Sequence, residues 1–248
     1  MIDVGLVGFG LAGRAFHAQV IRATPGLRLA AIVQRSGNEA AEQYPDVRVV
    51  RSVAELLAIS EIRLVVIATP NETHAPIARE CLEAGRDVVV DKPFATTLAE
   101  AQGLVELANK LGRLITVYQN QRYDGDFQAV RHIVTDGALG RMVRFETNYD
   151  RYRPELKVGA WRERRVPGAG ILFDLSPHLI DHALVLFGLP EAVSADVRVE
   201  RAAAVVEDAF DVMLHYAGGM RAVLRSTMLA AVARPRFLLH GTRGAFLK

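Results

Sequence analysis

A lysine at the end of an apolar run is the first residue whose type and position suggest chemistry. Lys92 follows three valines, Val88–Val90, and Asp91, so we expect it to leave the carboxyl end of a buried strand. A partly desolvated lysine there can donate a proton or stabilise a developing negative charge. Position alone equally allows a solvated lysine at the start of a loop.

An aspartate and a histidine four residues apart are the second candidate. The pattern predicts a helix from about Asp174 to Phe187, which places Asp174 and His178 on one face, with Asp181 three residues further on. A histidine beside a carboxylate is the usual general base for a secondary alcohol. Two alternatives stay open: a core-edge histidine bonded to Asp181, or a metal site formed by His178 and His182.

The first fifteen residues predict a nucleotide-binding loop. Gly8, Gly10 and Gly13 follow the apolar run at Val4–Val7 in the spacing G-x-G-x-x-G, and a helical pattern comes next. The first glycine allows a sharp turn, the second lets a pyrophosphate approach the backbone, and the third lets helix and strand pack closely. The amino end of the helix favours phosphate through its unpaired N–H groups.

The residues after the second predicted strand, Leu27–Val33, bear on the choice of cofactor. In this position an acidic side chain holds the ribose 2′-hydroxyl of NAD, whereas an arginine accommodates the 2′-phosphate of NADP. The chain has Gln34, Arg35 and Ser36 there. We therefore expect NADP, with NAD still possible; a surface loop that merely contains an arginine is the alternative.

The order of predicted elements indicates an α/β chain of two domains. Strands and helices alternate with short links up to Asn120, which is typical of a doubly wound parallel sheet, so we expect a dinucleotide-binding Rossmann domain at 1–120. From 121 to 248 a run of strands with few helices predicts an α+β domain on an antiparallel sheet. We expect this second domain to bind substrate and, through its free sheet face, to form a homodimer or a dimer of dimers.

Composition limits the other classes of function. The net charge is +2 and no basic tract carries interleaved aromatic residues, so we expect no nucleic-acid partner. Cys81 is the only cysteine, which excludes an internal disulfide and fits a reducing compartment. No signal peptide is evident, and no apolar stretch was expected to reach the length of a membrane span. We expect a cytoplasmic protein.

Four segments in order resemble the Gfo/Idh/MocA family of NAD(P)-dependent oxidoreductases: GFGLAG, TPNETH, AGRDVVVDKP and GAGILFDLSPHLID. The DKP variant and the segments NQRYDGDF and WRE are most similar to the scyllo-inositol dehydrogenase-like members. The resemblance implies that Lys92, Asp174 and His178 are catalytic and that the substrate is a cyclic polyol or a sugar. A cofactor-bound sensor without catalysis is the alternative. No metal is expected, because hydride transfer here needs none.

The same motifs predict the residues around the cofactor and the substrate. The resemblance adds Asn71, His74, Trp161 and Arg162 to the cofactor site. The full set expected to bind the cofactor is Gly8, Phe9, Gly10, Leu11, Gly13, Arg35, Ser36, Thr69, Asn71, His74, Lys92, Trp161 and Arg162. Tyr123, Tyr149 and Arg153 are polar residues expected to line the sugar pocket.

Two features depart from the family pattern. The family's glycine pair is replaced by Gly168-Ala169-Gly170, which we expect the backbone to tolerate. The chain also ends at Lys248, whereas family members continue for about another third of their length. We expect a shortened form of a longer protein, less stable without the missing strands and covering helix.

Overall fold

The computed structural model describes residues 1–157 and 159–248. The chain divides into two compact units, Met1–Tyr118 and Gln119–Lys248.

Unit one is built on a six-stranded parallel sheet. Its strands are β1 (Ile2–Val7), β2 (Leu27–Val33), β3 (Arg48–Val50), β4 (Ile62–Ile67), β5 (Asp87–Asp91) and β6 (Ile115–Tyr118). Their order across the sheet is β3-β2-β1-β4-β5-β6. The order reverses between β1 and β4, and in open α/β sheets the crevice at the carboxyl ends of the strands beside such a reversal binds ligands. The predicted Rossmann fold is confirmed.

Helices of 5 to 14 residues connect these strands. They are α1 (Ala18–Ala23), α2 (Glu39–Gln43), α3 (Val53–Leu57), α4 (His74–Glu83) and α5 (Leu98–Leu111), and a π-helical turn, Gly13–His17, leads directly into α1. The best-defined start is that of α5, where Thr97 and Glu100 form both bonds of a capping box. Gly112 ends α5 in the left-handed conformation. Both ends of α5 are therefore marked by residue types that can be recognised in the sequence, Thr97 with Glu100 and Gly112.

Apolar side chains cover both faces of the parallel sheet. One core cluster contains Ile67 and Leu104, and the other contains Leu6 and Ile32. Cys81 lies in the first cluster on α4, and burial raises the pKa of its thiol to about 12. The thiol is therefore a small core side chain rather than a nucleophile.

Unit two is built on a second six-stranded sheet. Its strands are β7 (Met142–Asn148), β8 (Ala192–Arg198), β9 (Ala209–His215), β10 (Arg221–Thr227), β11 (Phe237–Gly241) and β12 (Ala245–Leu247), in the order β12-β11-β7-β10-β9-β8. Adjacent strands are antiparallel except β7 and β10, which run parallel. The sheet is thus mixed rather than purely antiparallel, because the long connection from β7 to β10 brings the chain back in the same direction.

Two helices, α6 (Gly125–Thr135) and α7 (Gly170–Phe187), complete unit two. Leu175 and Leu179 of α7 are buried in the same core as Phe127 of α6 and Phe237 of β11. By length and hydropathy alone α7 would suffice to cross a membrane, so our expectation that no segment reaches that length is wrong. Half of that stretch is buried within the protein, as expected for the core helix of this unit.

The start of α7 differs from the prediction. The helix begins at Gly170, four residues before Asp174. A tertiary contact accompanies this start: Ile171 N–H donates to the backbone oxygen of Glu207, at 3.0 Å. No capping side chain marks the position in the local sequence.

Candidate active site

The glycine-rich loop has the shape that a pyrophosphate requires. Gly8 has φ +99°, and a Cβ on it would lie 2.5 Å from the backbone oxygen of Ala68. A Cβ on Gly13 would collide with the backbone oxygen of Gly8, whereas a Cβ on Gly10 would meet nothing within 4 Å. The loop therefore packs tightly at its first and third glycines and leaves open space at the second, so its residues fit a dinucleotide.

The neighbours of these glycines differ in their surroundings. Phe9 packs edge-to-face on Tyr44, with ring centroids 5.9 Å apart. Leu11 is 71% exposed. Phe9 thus packs the loop against Tyr44 in the same unit. Leu11 exposes an apolar side chain beside it.

The loop after β2 holds the residues expected to choose between NAD and NADP. Arg35 and Ser36 are exposed. Gln34 donates to the Glu39 carboxylate and accepts from Ala40 N–H, at 2.9 Å. Arg51 donates to the backbone oxygens of Gln34 and Gly37 and so holds the loop in place. This residue was not singled out in the sequence.

The loop after β4 is held by a buried histidine. His74 is 1% exposed, and its Nε2 lies 2.9 Å from the Thr69 backbone oxygen. Its Nδ1 lies 2.8 Å from the backbone oxygen of Pro93, in the loop after β5. Both ring nitrogens are therefore engaged inside the protein. Asn71 is buried in the same loop, and its contact with a cofactor stays a prediction.

Lys92 stands at the corner where β5 ends, and its side chain is half-buried. Its backbone N–H donates to Oδ1 of Asp91, at 2.8 Å, and the peptide bond to Pro93 is cis. His17, on the π-helical turn, brings Nε2 to 3.6 Å from the same Asp91 oxygen. Burial tends to raise the pKa of Asp91, but His17 and Lys92 outweigh it and the pKa is lowered.

In unit two, two arginines hold Asp174 on α7. Arg162 Nε lies 3.1 Å from Oδ1 and Arg151 Nη1 lies 3.4 Å from Oδ2. The Arg162 guanidinium also stacks over the indole of Trp161, at 4.5 Å. Arg151 was missed in the sequence; its only signal is a basic residue shortly after the end of β7.

His178 lies one turn after Asp174 and is buried. The carboxylate of Asp181, a further turn along, accepts from Arg122 Nε at 2.7 Å and from Arg122 Nη2 at 2.5 Å. Asp181 therefore ties α7 to the turn Asn120–Tyr123. Sequence reasoning missed Arg122, because a contact across 59 residues leaves no local pattern.

The surroundings of His182 bear on the metal alternative. Its ring stacks on Phe127, with centroids 4.1 Å apart, and burial lowers its pKa to about 3, so the imidazole is neutral. Among residues 1–157 and 159–248, no group of three or more His, Cys, Asp or Glu side chains is placed to hold a metal ion.

The residues predicted to line a sugar pocket separate into two groups. The Tyr149 ring contacts two guanidinium groups, that of Arg151 at 5.2 Å and that of Arg236 at 4.5 Å. Arg151 in turn contacts Asp174. Tyr123 is 80% exposed, and Arg153 is also on the surface. Of the three, the structure joins only Tyr149 to Asp174, through Arg151.

A buried ion pair fixes the turn that carries Trp161 and Arg162. Arg201 is buried; its Nη2 lies 2.9 Å from Glu163 and its Nε lies 2.8 Å from Asp208. Glu163 belongs to the same short turn as Trp161 and Arg162. Arg201 thus supports the position from which Arg162 reaches Asp174.

The glycine pattern before α7 has a clear steric reason. Gly170 has φ +82°, and a Cβ on it would collide with the Glu207 carboxylate. Ala169 has φ −76° and ψ 178°, which any residue adopts. Gly168, at φ +75°, and Gly170 both adopt the left-handed region that favours glycine, whereas residue 169 does not, so alanine is tolerated there.

Comparison with known proteins agrees with this architecture. Residues 2–119 match the family model described as the oxidoreductase family with NAD-binding Rossmann fold, Gfo/Idh/MocA, and residues 127–247 match the Gfo/Idh/MocA C-terminal domain. The chain belongs to the Gfo/Idh/MocA family. It is therefore an oxidoreductase on an NAD-binding Rossmann fold, as the four sequence segments indicated.

Three individual proteins illustrate the likeness. The chain is 43% identical to the uncharacterized oxidoreductase YdgJ of Escherichia coli, over all of this chain and 71% of that protein. It is 34% identical to the scyllo-inositol 2-dehydrogenase (NADP(+)) IolW of Bacillus subtilis, over all of this chain and 68% of that protein. A solved structure, the YPO2259 putative oxidoreductase of Yersinia pestis, superimposes with a TM-score of 0.92 at 44% identity, over all of this chain and 69% of the other.

Proposed function

We propose that this protein is an NADP-preferring dehydrogenase that oxidises or forms a secondary alcohol on a cyclic polyol or a sugar. The observation that carries the proposal is the pair Asp174 and His178 on successive turns of α7, with the aspartate held by two arginines. In this arrangement His178 would be the general base, and the oriented carboxylate of Asp174 would lie beside it. The likeness to the 34% identical scyllo-inositol 2-dehydrogenase of Bacillus subtilis supports the substrate class.

The residues of unit one fit the cofactor. Gly8, Gly10 and Gly13 would surround the pyrophosphate, and Arg35 with Ser36 would meet the 2′-phosphate. Phe9, Leu11, Thr69, Asn71, Trp161 and Arg162 complete the proposed cofactor site, with His74 supporting it from within. When bound, the nicotinamide supplies the hydride acceptor or donor.

The protein's own residues would handle the proton. A nitrogen of the His178 imidazole takes the alcohol proton during oxidation and returns it during reduction. Lys92 donates a hydrogen bond to the reacting oxygen and stabilises its developing charge. Asp174 orients the imidazole or a second hydroxyl, and Tyr149 contributes to the wall of the pocket.

Roles for the two domains follow from this assignment. We propose that 1–120 binds the dinucleotide and that 121–248 binds substrate and mediates self-association. A cytoplasmic setting, where NADP(H) and sugars are both present, fits the proposal.

The test is turnover of inositols and aldoses with NADP and with NAD, followed by the absorbance of the reduced cofactor. Replacing Lys92 or His178 by alanine should lower kcat by about 10²–10⁴-fold, the usual contribution of one acid–base group. Lys110→Ala and His132→Ala are matched controls, because these residues lie on exposed faces of α5 and α6.

Two results would argue against the assignment. Cofactor binding without turnover of any compound in the panel would favour a cofactor-bound sensor. Turnover that survives His178→Ala would show that another residue is the base.

A further inference from the structure

Two buried histidines hold the Asp91–Lys92–Pro93 corner from different elements. His17 comes from the π-helical turn behind the glycine-rich loop, and His74 comes from the start of α4. They are 3% and 1% exposed. Neither is available to solvent as an ordinary surface histidine would be.

His74 connects two loops through their backbones. Its ring nitrogens lie 2.9 Å from the Thr69 oxygen and 2.8 Å from the Pro93 oxygen, and carbonyl oxygens only accept hydrogen bonds. A neutral imidazole donates to one of them, and an imidazolium donates to both. In either state the ring fixes the separation between the loop that carries Asn71 and the corner that carries Lys92.

His17 reaches the same corner through Asp91. Its Nε2 lies 3.6 Å from Asp91 Oδ1, the atom that accepts the Lys92 backbone N–H. The His17 ring also packs against the ring of Tyr118, with ring centroids 4.3 Å apart. His17 is the last residue of the π-helical turn Gly13–His17, a type of irregularity that is frequent at functional sites.

We propose that His17 and His74 are positioning residues for Lys92, which together couple the nucleotide-binding loop and the loop after β4 to the catalytic corner. The proposal rests on the proposed function, in which Lys92 acts on the reacting oxygen. It adds that the lysine is placed by these two rings, and that neither histidine touches the substrate.

A direct test follows the lysine itself and needs no activity. The chain contains four lysines, Lys92, Lys110, Lys157 and Lys248, so ε-¹³C-lysine labelling gives a simple NMR spectrum in which Lys92→Arg assigns one signal. His17→Asn and His74→Asn should each move the Lys92 signal and leave the other three in place. Cys81→Ala is the matched control, because it opens a cavity on α4 without touching the corner.

Kinetics separate positioning from general support of the fold. In folded His17→Asn or His74→Asn protein we expect kcat to fall about 10- to 100-fold with little change in KM or in cofactor Kd. His74→Asn, which keeps one donor, should retain more activity than His74→Ala. A Lys92 signal unmoved by both variants, or a loss of kcat no greater than in Cys81→Ala, would overturn the inference. If the wild-type protein turns over no substrate, the proposed function fails, and the NMR result still decides the positioning.

Discussion

Arg35 and Arg51 illustrate how two arginines close in sequence take different tasks. Arg51 donates to the backbone oxygens of Gln34 and Gly37 and is occupied by the loop. Arg35 is exposed on that loop, so its guanidinium is accessible to a ligand. The structure thus separates the residue that shapes the loop from the one that we expect to bind the 2′-phosphate.

Removing the Arg35 side chain should therefore act on one cofactor only. We expect Arg35→Ala to weaken NADP binding by about 1–3 kcal/mol, as for a lost charged hydrogen bond, and to leave NAD nearly unchanged. Titration of both cofactors against the variant and against Arg113→Ala, an exposed arginine after α5, measures this. An equal loss for NAD and NADP would contradict the assignment.

Asp150 and Arg234 provide a prediction about pH and stability. Burial tends to raise the pKa of Asp150, but Arg234 donates to both carboxylate oxygens, at 2.7 and 2.6 Å, and the pKa is lowered. A lowered folded-state pKa means that the stabilisation is present above the unfolded pKa of about 3.9 and is lost as the pH falls through the folded value.

We expect Arg234→Ala to lower the free energy of unfolding by about 1–3 kcal/mol at pH 7. The difference from wild type should shrink as the pH falls below about 4, where the unfolded-state carboxyl takes up its proton first, and should be lost once the pH lies below the lowered folded-state pKa. Urea unfolding at pH 7, 5 and 3 measures it. A difference that is the same at all three values would mean that the arginine acts through packing alone.

At the scale of elements, the amino end of α7 depends on a distant residue. The φ of +82° at Gly170 and the Glu207 carboxylate beside it leave no space for a side chain. Gly170→Ala should therefore destabilise unit two by about 1–3 kcal/mol, through strain and displacement of Glu207. Ala169→Gly, at an ordinary φ, should cost no more than about 1 kcal/mol. Thermal unfolding of the two variants compares neighbouring positions directly, and an equal loss would contradict the steric account.

The elements also show what local sequence can predict. Strands β1, β2 and β5 lie close to the predicted runs, because strands buried on both faces are continuous apolar runs, whereas the short strand β3 was not predicted. α5 was predictable from its caps. Three features were not predictable from local sequence. The start of α7 and the short strand β12 depend on partners elsewhere in the chain, and the π-helical turn depends on a local change in helical pitch.

The candidate site divides in the same way. The types and spacing of Lys92, Asp174 and His178 were readable from the sequence. The pairing of Arg151 and Arg162 with Asp174, and of Arg122 with Asp181, was not. Motifs fix which residues share an element. They do not fix which charges meet across the 12 to 59 residues that separate these arginines from their aspartates, because that depends on the fold of the whole unit.

At the scale of the whole molecule, one face of the second sheet carries charged residues that are linked to one another by ion pairs. Arg225 lies 3.1 Å from Glu146 on β7 and 2.9 Å from Asp211 on β9, and Arg198 on β8 lies 2.8 Å from Asp211. Met213 stands on the same face, next to Asp211 along β9 by the two-residue period. A sheet face whose charges are already paired is suited to association with a second copy.

We accordingly expect a homodimer or a dimer of dimers in solution. Met213→Glu, which adds an unpaired charge to this face, should shift the protein toward monomer, and Ala129→Glu on the exposed side of α6 should not. Light scattering after size-exclusion chromatography gives the mass of each. A wild-type monomer at working concentrations would refute the prediction.

The buried thiol of Cys81 has a practical consequence when it is set beside the single tryptophan. Unit one holds the chain's only cysteine and unit two holds its only tryptophan, Trp161. A thiol reagent can react with Cys81 only when unit one opens, while indole fluorescence follows unit two alone. The protein therefore carries one intrinsic reporter in each half, and a denaturant series read by both shows whether the halves melt together or in turn.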